Sequence, residues 1–267
     1  MSAADVGALL AQPNWPQIAA AGAGTRHRLA DVDYAPVVPR PTKILCVGQN
    51  YKAHLAEQGI EAPKAPTLFA KFCSALVGAR DDVLLPLDSD SVDWEVELGV
   101  IIGWPAHRVS EEDALGRVAG YAVMNDVSMR DWQYRTSQFL QGKTFDRATP
   151  LGPWLVTRDD SAVNEEGMDL YCELDAETVQ QGRTDDLLFG VAHLVSYISH
   201  AMTLLPGDVI ATGTPGGSGH WRKPPRYLQD GTLMVSRVSG LGECRNRCRR
   251  EVASPSQAPE PAPPPEA

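Results

Sequence analysis

The sequence has little positive charge: 24 lysines and arginines stand against 34 aspartates and glutamates, which gives a formal net charge of −10. This balance argues against proteins that bind nucleic acids or membrane surfaces, because such proteins usually present a basic face. It also means that an anionic small molecule gains no long-range attraction from the chain. Any such substrate would need a local positive centre.

The sequence also lacks a continuous apolar run of the roughly 20 residues that a membrane-spanning helix requires. Its first residues include an acid but no base and no long apolar core, so we expect no signal peptide. The five cysteines are odd in number and scattered, which favours a reducing cytoplasm. Only Cys244 and Cys248 are close together, and a single pair is a poor zinc signal.

A third absence concerns the glycine-rich segment GTPGGSG, residues 213–219, which lacks the Gly-Lys-Ser/Thr ending of a phosphate-binding loop. We therefore do not expect a nucleotide ligand. Glycines still allow the backbone to approach a ligand closely, so this segment stays a candidate for substrate contact.

The chain divides by composition into three regions. Residues 1–41 form a small N-terminal segment whose prolines enforce extended backbone at its end, and residues 42–248 form the main body. Residues 249–267 are mostly proline, alanine, serine and glutamate, so we expect a disordered tail.

The body mixes many strands with a few helices and shows no regular alternation of the two, which favours a β-rich α+β fold over a doubly wound sheet. A short helix is predicted at 50–59, with Asn50 as its N-cap and Gly59 as its stop. Residues 129–146 are dense in polar and aromatic side chains and predict a loop beside a pocket. The other predicted elements are strands at 43–48, 92–103, 120–128, 209–214 and 231–244, and helices at 110–116 and 187–202.

Two acids, Glu95 and Glu97, stand immediately before an apolar run. Side chains alternate along a strand, so both carboxylates would face the same way and repel each other unless a cation lies nearby. Asp126, at the polar end of another predicted strand, supplies a third carboxylate if the strands are neighbours. The cation could be a lysine or arginine, or an oxygen-preferring ion: Mg²⁺, or else Mn²⁺ or Ca²⁺.

A candidate base precedes these acids in the sequence. His54 and Glu57 are three residues apart on the predicted helix and therefore within reach of each other. A carboxylate on one ring nitrogen leaves the other nitrogen free to take a proton. A simple pair on the helix surface is the alternative reading. Lys143 likewise could neutralise an anion or could be solvated.

Taken together, these segments resemble the fumarylacetoacetate hydrolase family, in particular its shorter bacterial and mitochondrial members. The resemblance covers about residues 43–246 in order. It rests on KILCVGQNYKAHLAEQG, VDWEVELGVIIG, GYAVMNDVSMRDWQ, QGKTFDRATPLGPW, LLPGDVIATGTPGG and GLGECRN.

The resemblance implies a mixed β-sandwich roll, commonly dimeric, that binds Mg²⁺ or Mn²⁺. It places the metal ligands at Glu95, Glu97 and Asp126. It places the catalytic residues at His54, Glu57 and Lys143, and the substrate-binding residues at Arg130, Gln133 and Thr214.

The implied reaction is cleavage of a C–C bond in an acylpyruvate-like 2-oxo acid. Isomerisation, tautomerisation or decarboxylation of an oxo-diacid in aromatic catabolism is the alternative, and a catalytically idle scaffold protein is a third. Three departures from the family pattern are visible: the loop at 213–219, the hairpin Leu174–Glu177, which has Ala176 where glycine is usual, and the proline-rich end.

Overall fold

The structure of the chain is a computed structural model, and it describes residues 3–22, 25 and 27–253. Residues 254–267, which make up most of the predicted tail, lie outside the described residues. Within the described part of the chain, no helix is both long enough and apolar enough to cross a bilayer.

The described residues contain strands and helices in the mixed order expected for a β-rich α+β fold. The strands are β1 Ile44–Gly48, β2 Thr67–Lys71, β3 Leu76–Val77, β4 Val83–Leu85, β5 Val92–Asp93, β6 Val96–Ile102, β7 Val118–Asn125, β8 Ser128–Met129, β9 Thr149–Thr157, β10 Asp169–Leu174, β11 Glu177–Arg183, β12 Val209–Ala211, β13 Leu233–Val238 and β14 Gly242–Arg250. The α-helices are α1 Val6–Leu10, α2 Trp15–Ala20, α3 Lys52–Gln58, α4 Glu111–Ala114, α5 Arg130–Gln133, α6 Leu140–Lys143 and α7 Val191–Ala201.

The strands form two main sheets that close on each other as a curled sandwich. A seven-stranded sheet has the order β2-β1-β12-β6-β7-β9-β3, and a five-stranded sheet has the order β11-β10-β13-β14-β4. The small pair β5-β8 bridges the end of the larger sheet. Both sheets contain parallel and antiparallel pairs, as the predicted mixed sandwich roll requires.

The seven-stranded sheet is covered on both faces, which explains why every residue of β6 is buried. Leu98 and Val100 pack into the core shared with the five-stranded sheet. Ile101 points the other way, into a second cluster that includes Leu10 and Trp15 of the N-terminal segment. The short N-terminal helices therefore act as a cover for the outer face of the main sheet.

The predicted start of the helix at 50–59 is wrong. Helix α3 begins at Lys52, after Tyr51, and Asn50 does not cap it. The Asn50 side chain instead donates to the carbonyls of Thr212 and Phe189, at 2.7 and 3.0 Å. These hydrogen bonds connect the turn before α3 to the two segments that contain Thr212 and Phe189. Gly59 does end the helix, with a φ of 66° that suits glycine.

The predicted strand 92–103 is interrupted at Trp94 and Glu95, because the chain changes pairing partners there. β5 pairs with β8, whereas β6 pairs with β7 and β12. The predicted loop 129–146 contains the short helices α5 and α6. The last strand continues to Arg250, slightly beyond the predicted start of the tail at residue 249.

Candidate active site

Strand pairing brings the three predicted metal ligands together. Val96 lies opposite Asn125 in the antiparallel pair β6-β7, so Glu95, Glu97 and Asp126 meet at one end of the sheet. One carboxylate oxygen from each of the three lies within 4.8 Å of the others, and all three residues are buried. Within the described residues, they form the one group of three or more side chains suited to hold a metal ion.

Two lysines contact these carboxylates directly. Lys143 Nζ lies 2.5 Å from Glu95 Oε2 and 2.8 Å from Asp126 Oδ2. Lys71 Nζ lies 2.6 Å from Asp126 Oδ1 and also donates to the Val127 carbonyl at 3.1 Å. The sequence left open a metal or a basic side chain as the partner of the acids, and basic side chains are present.

A third cation, Arg130, joins the acids from the side of α5. Its Nη2 lies 2.6 Å from Glu95 Oε1, and its Nε and Nη2 both lie 2.8 Å from Asp93 Oδ2. Its Nη1 donates to Gln133 Oε1 at 2.8 Å. Two of the three predicted substrate-binding residues, Arg130 and Gln133, therefore contact each other, and Asp93, Glu95 and Gln133 together orient the arginine.

The three basic side chains contact Asp93, Glu95 and Asp126 but not Glu97. Burial by itself would raise the pKa of Glu95, but the charges of Arg130 and Lys143 outweigh it and lower that pKa to about 2. Glu97 has no lysine or arginine within 4.0 Å among the described residues and accepts the Gly213 N–H at 2.7 Å. Burial, then repulsion from the neighbouring acids, raises the pKa of Glu97 well above its usual value.

This arrangement fits a divalent metal ion. Three buried carboxylates form the all-oxygen donor set that hard cations prefer. Of these three carboxylates, only that of Glu97 has no lysine or arginine within 4.0 Å among the described residues. The buried groups in the cluster are four acids, Asp93, Glu95, Glu97 and Asp126, and three bases, Lys71, Arg130 and Lys143. With all seven groups ionised, one negative charge is in excess, and a divalent cation would reverse the sign.

The predicted histidine dyad is present on α3. His54 Nδ1 lies 3.0 Å from Glu57 Oε2, and Glu57 also accepts the Gly217 N–H at 3.1 Å. The hydrogen bond with His54 is the main cause that lowers the pKa of Glu57. The other ring nitrogen, Nε2, lies 2.6 Å from Gln58 Nε2. His54 is buried, so the dyad is not the simple surface pair of the alternative reading.

Two of the acids, Glu95 and Glu97, line one cavity of about 140 Å³ together with the bases Arg130 and Lys143 and with His54. A cavity of about 150 Å³ accommodates benzene, so this space suits a small substrate. The lining residues are Val47, Gly48, Gln49, His54, Gln58, Ile60, Phe69, Glu95, Glu97, Arg130, Gln133, Tyr134, Phe139, Lys143, Thr214 and Trp221. Seven of the nine predicted site residues thus line the cavity. The other two contact lining residues: Asp126 through Lys143 and Glu57 through His54.

Thr214 lines the cavity, but its hydroxyl is already engaged within the protein. It donates to the Val96 carbonyl and accepts from Gln180 Nε2, each at 2.9 Å. Gln180 also accepts the Val96 N–H at 3.0 Å, so it fastens the glycine-rich loop to the strand that carries Glu97. A direct contact between the Thr214 hydroxyl and substrate stays a prediction.

Aromatic residues from two loops meet at the rim of the cavity. The rings of Tyr134 and His220 have centroids 5.3 Å apart, and those of Tyr134 and Phe139 are 6.5 Å apart. The ring of His220 therefore lies against Tyr134, which lines the cavity. The loops that follow α5 and residue 213 therefore enclose the same space.

Sequence reasoning missed four residues of the site: Lys71, Asp93, Gln58 and Gln180. A signal existed for two of them. Asp93 continues the alternation of Glu95 and Glu97 by one step, and Lys71 is the lone charge at the end of an apolar strand. Gln58 and Gln180 carry no such signal, because ordinary glutamines at exposed positions look the same in a sequence.

Comparison with known proteins found similar sequences and similar structures. The family model described as fumarylacetoacetate (FAA) hydrolase C-terminal matches residues 43–249. Human mitochondrial oxaloacetate tautomerase FAHD2A is 44% identical over 220 residues, which cover 82% of this chain and 70% of that protein.

Two solved structures share the fold. One is described as a probable 2-hydroxyhepta-2,4-diene-1,7-dioate isomerase from Mycobacterium abscessus, with a TM-score of 0.82, 32% identity and coverage of 93% of this chain and 89% of that one. The other is maleylpyruvate hydrolase from Sphingobium sp. SYK-6 in complex with manganese(II) ion and pyruvate, with a TM-score of 0.72, 31% identity and coverage of 85% and 78%. The predicted family and fold are confirmed, and this chain is an enzyme of the fumarylacetoacetate hydrolase family.

Proposed function

We propose that this enzyme interconverts the keto and enol forms of a small 2-oxo diacid of the oxaloacetate type. One observation carries the proposal: Glu95 and Glu97 of a buried carboxylate triad line the same small cavity as an oriented histidine. The similarity to an oxaloacetate tautomerase supports this choice of substrate. Because of this similarity, we rank tautomerisation, which was the alternative reaction in the sequence analysis, above hydrolysis of a C–C bond.

Glu95, Glu97 and Asp126 would hold the divalent ion, for which we propose Mg²⁺, with Mn²⁺ or Ca²⁺ as substitutes. When bound, such an ion supplies a Lewis acid that polarises a carbonyl oxygen. Together with Arg130 it would also give the acidic chain the local positive centre that an anionic substrate needs.

Side chains of the protein would bind the substrate, transfer the proton and stabilise the developing charge. Arg130 and Gln133 would bind a substrate carboxylate, since they are coupled and face the cavity. His54 Nε2 would take a proton from the carbon next to the 2-oxo group. The electron pair of that C–H bond forms the C=C bond, the carbonyl π pair moves to oxygen, and the oxygen receives a proton. The Lys143 ammonium would stabilise the negative charge as it develops on that oxygen.

Hydrolysis of an acylpyruvate is the second candidate, and the similarity to a maleylpyruvate hydrolase favours it. In that reaction His54 would take a proton from water, and the resulting hydroxide would attack the distal carbonyl. The C–C bond would then break, leaving its electron pair on the pyruvate fragment. Decarboxylation of the same oxo-diacid would release carbon dioxide and leave an equivalent electron pair.

The test is a panel of 2-oxo acids assayed with purified enzyme after EDTA treatment and again after Mg²⁺ or Mn²⁺ is restored. Loss of the ultraviolet enol band of oxaloacetate should accelerate in a metal-dependent way, and His54→Ala should abolish the acceleration. Full activity after EDTA, or a rate no higher than the uncatalysed one with every metal, would refute the proposal. Release of pyruvate from an acylpyruvate as the faster reaction would favour hydrolysis instead.

Assembly and location also belong to this proposal. We propose a homodimer in the cytoplasm that contacts neither nucleic acid nor membrane, as the resemblance and the charge balance indicate. Sedimentation at several protein concentrations tests the dimer, and cell fractionation tests the compartment. A monomer, or recovery in an organelle like that of the mitochondrial relative, would overturn the respective statement.

A further inference from the structure

Gln58 contacts the ring nitrogen of His54 that has to accept a proton. It follows His54 by one helical turn on α3, lines the cavity, and places its Nε2 2.6 Å from His54 Nε2. Glu57 as a carboxylate only accepts hydrogen bonds, so the proton between it and the ring lies on His54 Nδ1. His54 Nε2 is therefore an acceptor, and the Gln58 amide donates to it.

Any molecule that uses His54 as a base has to displace this amide. A lone water molecule would compete with a donor that the helix already holds in place. A substrate bound elsewhere in the cavity through its carboxylates competes far better, since its reacting carbon arrives at high effective concentration. The contact therefore discriminates between water and a tethered carbon acid.

The same amide suits both protonation states of the ring. After His54 has taken a proton, Nε2 becomes a donor, and rotation about the last side-chain bond presents Gln58 Oε1 as an acceptor. The proton taken from the substrate carbon can then be returned to the substrate oxygen. A reaction that takes and returns one proton gains most from a partner of this kind.

We propose that Gln58 is a positioning residue that reserves His54 Nε2 for a tethered substrate and keeps a hydrolytic water from it. It would thereby direct the enzyme towards tautomerisation and away from hydrolysis. This inference rests on the proposed function and adds the cause of its reaction specificity.

The test compares the full-length enzyme with Gln58→Met, which keeps the length of the side chain and its helical preference but removes the amide. With Mg²⁺ present, kcat and KM are measured for oxaloacetate tautomerisation and for acetylpyruvate hydrolysis. The hydrolysis-to-tautomerisation ratio of kcat/KM should rise by up to about tenfold, as expected for loss of one hydrogen bond. Nitrogen-15 NMR of the histidine rings should show a shifted Nε2 resonance for His54.

Gln181→Met is the matched control, because Gln181 is an exposed glutamine on β11. It should change neither the ratio nor the His54 resonance. Gln58→Ala repeats the test if the methionine variant folds poorly. An unchanged ratio, an absence of hydrolysis in every variant, or an unmoved Nε2 resonance would overturn the inference. A wild-type enzyme that does not accelerate tautomerisation would instead refute the proposed function, and the NMR result would still report on the contact itself.

Discussion

Asp93 links Arg130 to the glycine-rich loop. Its Oδ2 lies 2.8 Å from Arg130 Nε and also accepts the His220 N–H at 3.0 Å, while its Oδ1 accepts the Gly219 N–H at 2.7 Å. The carboxylate is fully buried. One side chain thus sets both the direction of a proposed substrate-binding arginine and the position of the loop that closes the cavity.

Asp93→Asn should therefore weaken substrate binding and stability together. The amide keeps the shape but removes the charge opposite Arg130, and breaking a buried ion pair costs about 3 kcal/mol. We expect the KM for oxaloacetate to rise about tenfold with a smaller change in kcat, since the arginine binds rather than reacts. Steady-state kinetics and urea unfolding measure the two effects.

Asp131→Asn is the control for this variant. Asp131 is exposed, and its carboxylate accepts a hydrogen bond from Ser89 at 2.6 Å instead of facing the cavity. Its kinetics should match those of the wild type. An unchanged KM in Asp93→Asn would show that Arg130 does not depend on Asp93 for its position.

Glu97→Gln should separate metal binding from stability. Glu97 has no basic partner among the described residues, and burial together with neighbouring acids raises its pKa. The neutral amide should leave the metal-free protein as stable as before or more stable, yet lower the affinity for Mn²⁺ by about 100-fold or more. Calorimetric titration with Mn²⁺ and thermal unfolding with EDTA give the two readings.

Asp126→Asn is the variant to compare with Glu97→Gln, because Asp126 forms ion pairs with both Lys71 and Lys143. It should lose metal affinity and stability together. Equal Mn²⁺ affinity in Glu97→Gln and the wild type would exclude Glu97 as a ligand.

Glu57→Gln should remove one source of acid sensitivity. Since the His54 hydrogen bond lowers the pKa of Glu57 from 4.5, the folded state binds a proton less readily than the unfolded state. The stabilisation is complete above pH 4.5 and is lost as the pH falls through the lowered folded value. The wild type should be more stable than the variant by roughly 1 kcal/mol at pH 6, and this difference should shrink towards pH 3.5.

Urea unfolding of both proteins across this range measures that difference. A gap between wild type and Glu57→Gln that stays constant down to pH 3.5 would mean that Glu57 is not the group responsible.

Ala176→Gly should stabilise the hairpin between β10 and β11. The central residues Asp175 and Ala176 have φ values of 48° and 71°, a left-handed conformation in which a side chain is unfavourable. Glycine at this position should increase the free energy of unfolding by about 1 kcal/mol and raise the Tm by roughly 2–4 °C. Ala56→Gly is the control, at an exposed position inside α3. It should lower the free energy of unfolding by a similar amount, because glycine disfavours a helix. A lower Tm for Ala176→Gly would contradict the strain argument.

Local pattern and residue chemistry were enough to find most of the candidate site. The alternation of Glu95 and Glu97, the spacing of His54 and Glu57, and the order of the family segments all come from short stretches of chain. The same kind of information predicted the β-rich class, because apolar runs and turn residues depend on nearest neighbours.

Local pattern was weaker where a residue's role depends on a distant partner. Asn50 looks like a helix cap, but its amide joins loops 139 and 162 residues away. The break at Glu95 arises because β5 and β6 pair with different strands, a choice that alternation along one segment does not contain.

The sequence by itself determined the family, the β-rich class, and which acids and which histidine are available for chemistry. Only the tertiary structure decided how they are paired: Lys71 and Lys143 on Asp126, Gln58 on His54, and no lysine or arginine close to Glu97 among the described residues. The reason is physical. Hydrogen bonds and ion pairs act over about 3 Å, and residues far apart in the chain come that close only after the strands have paired and excluded water.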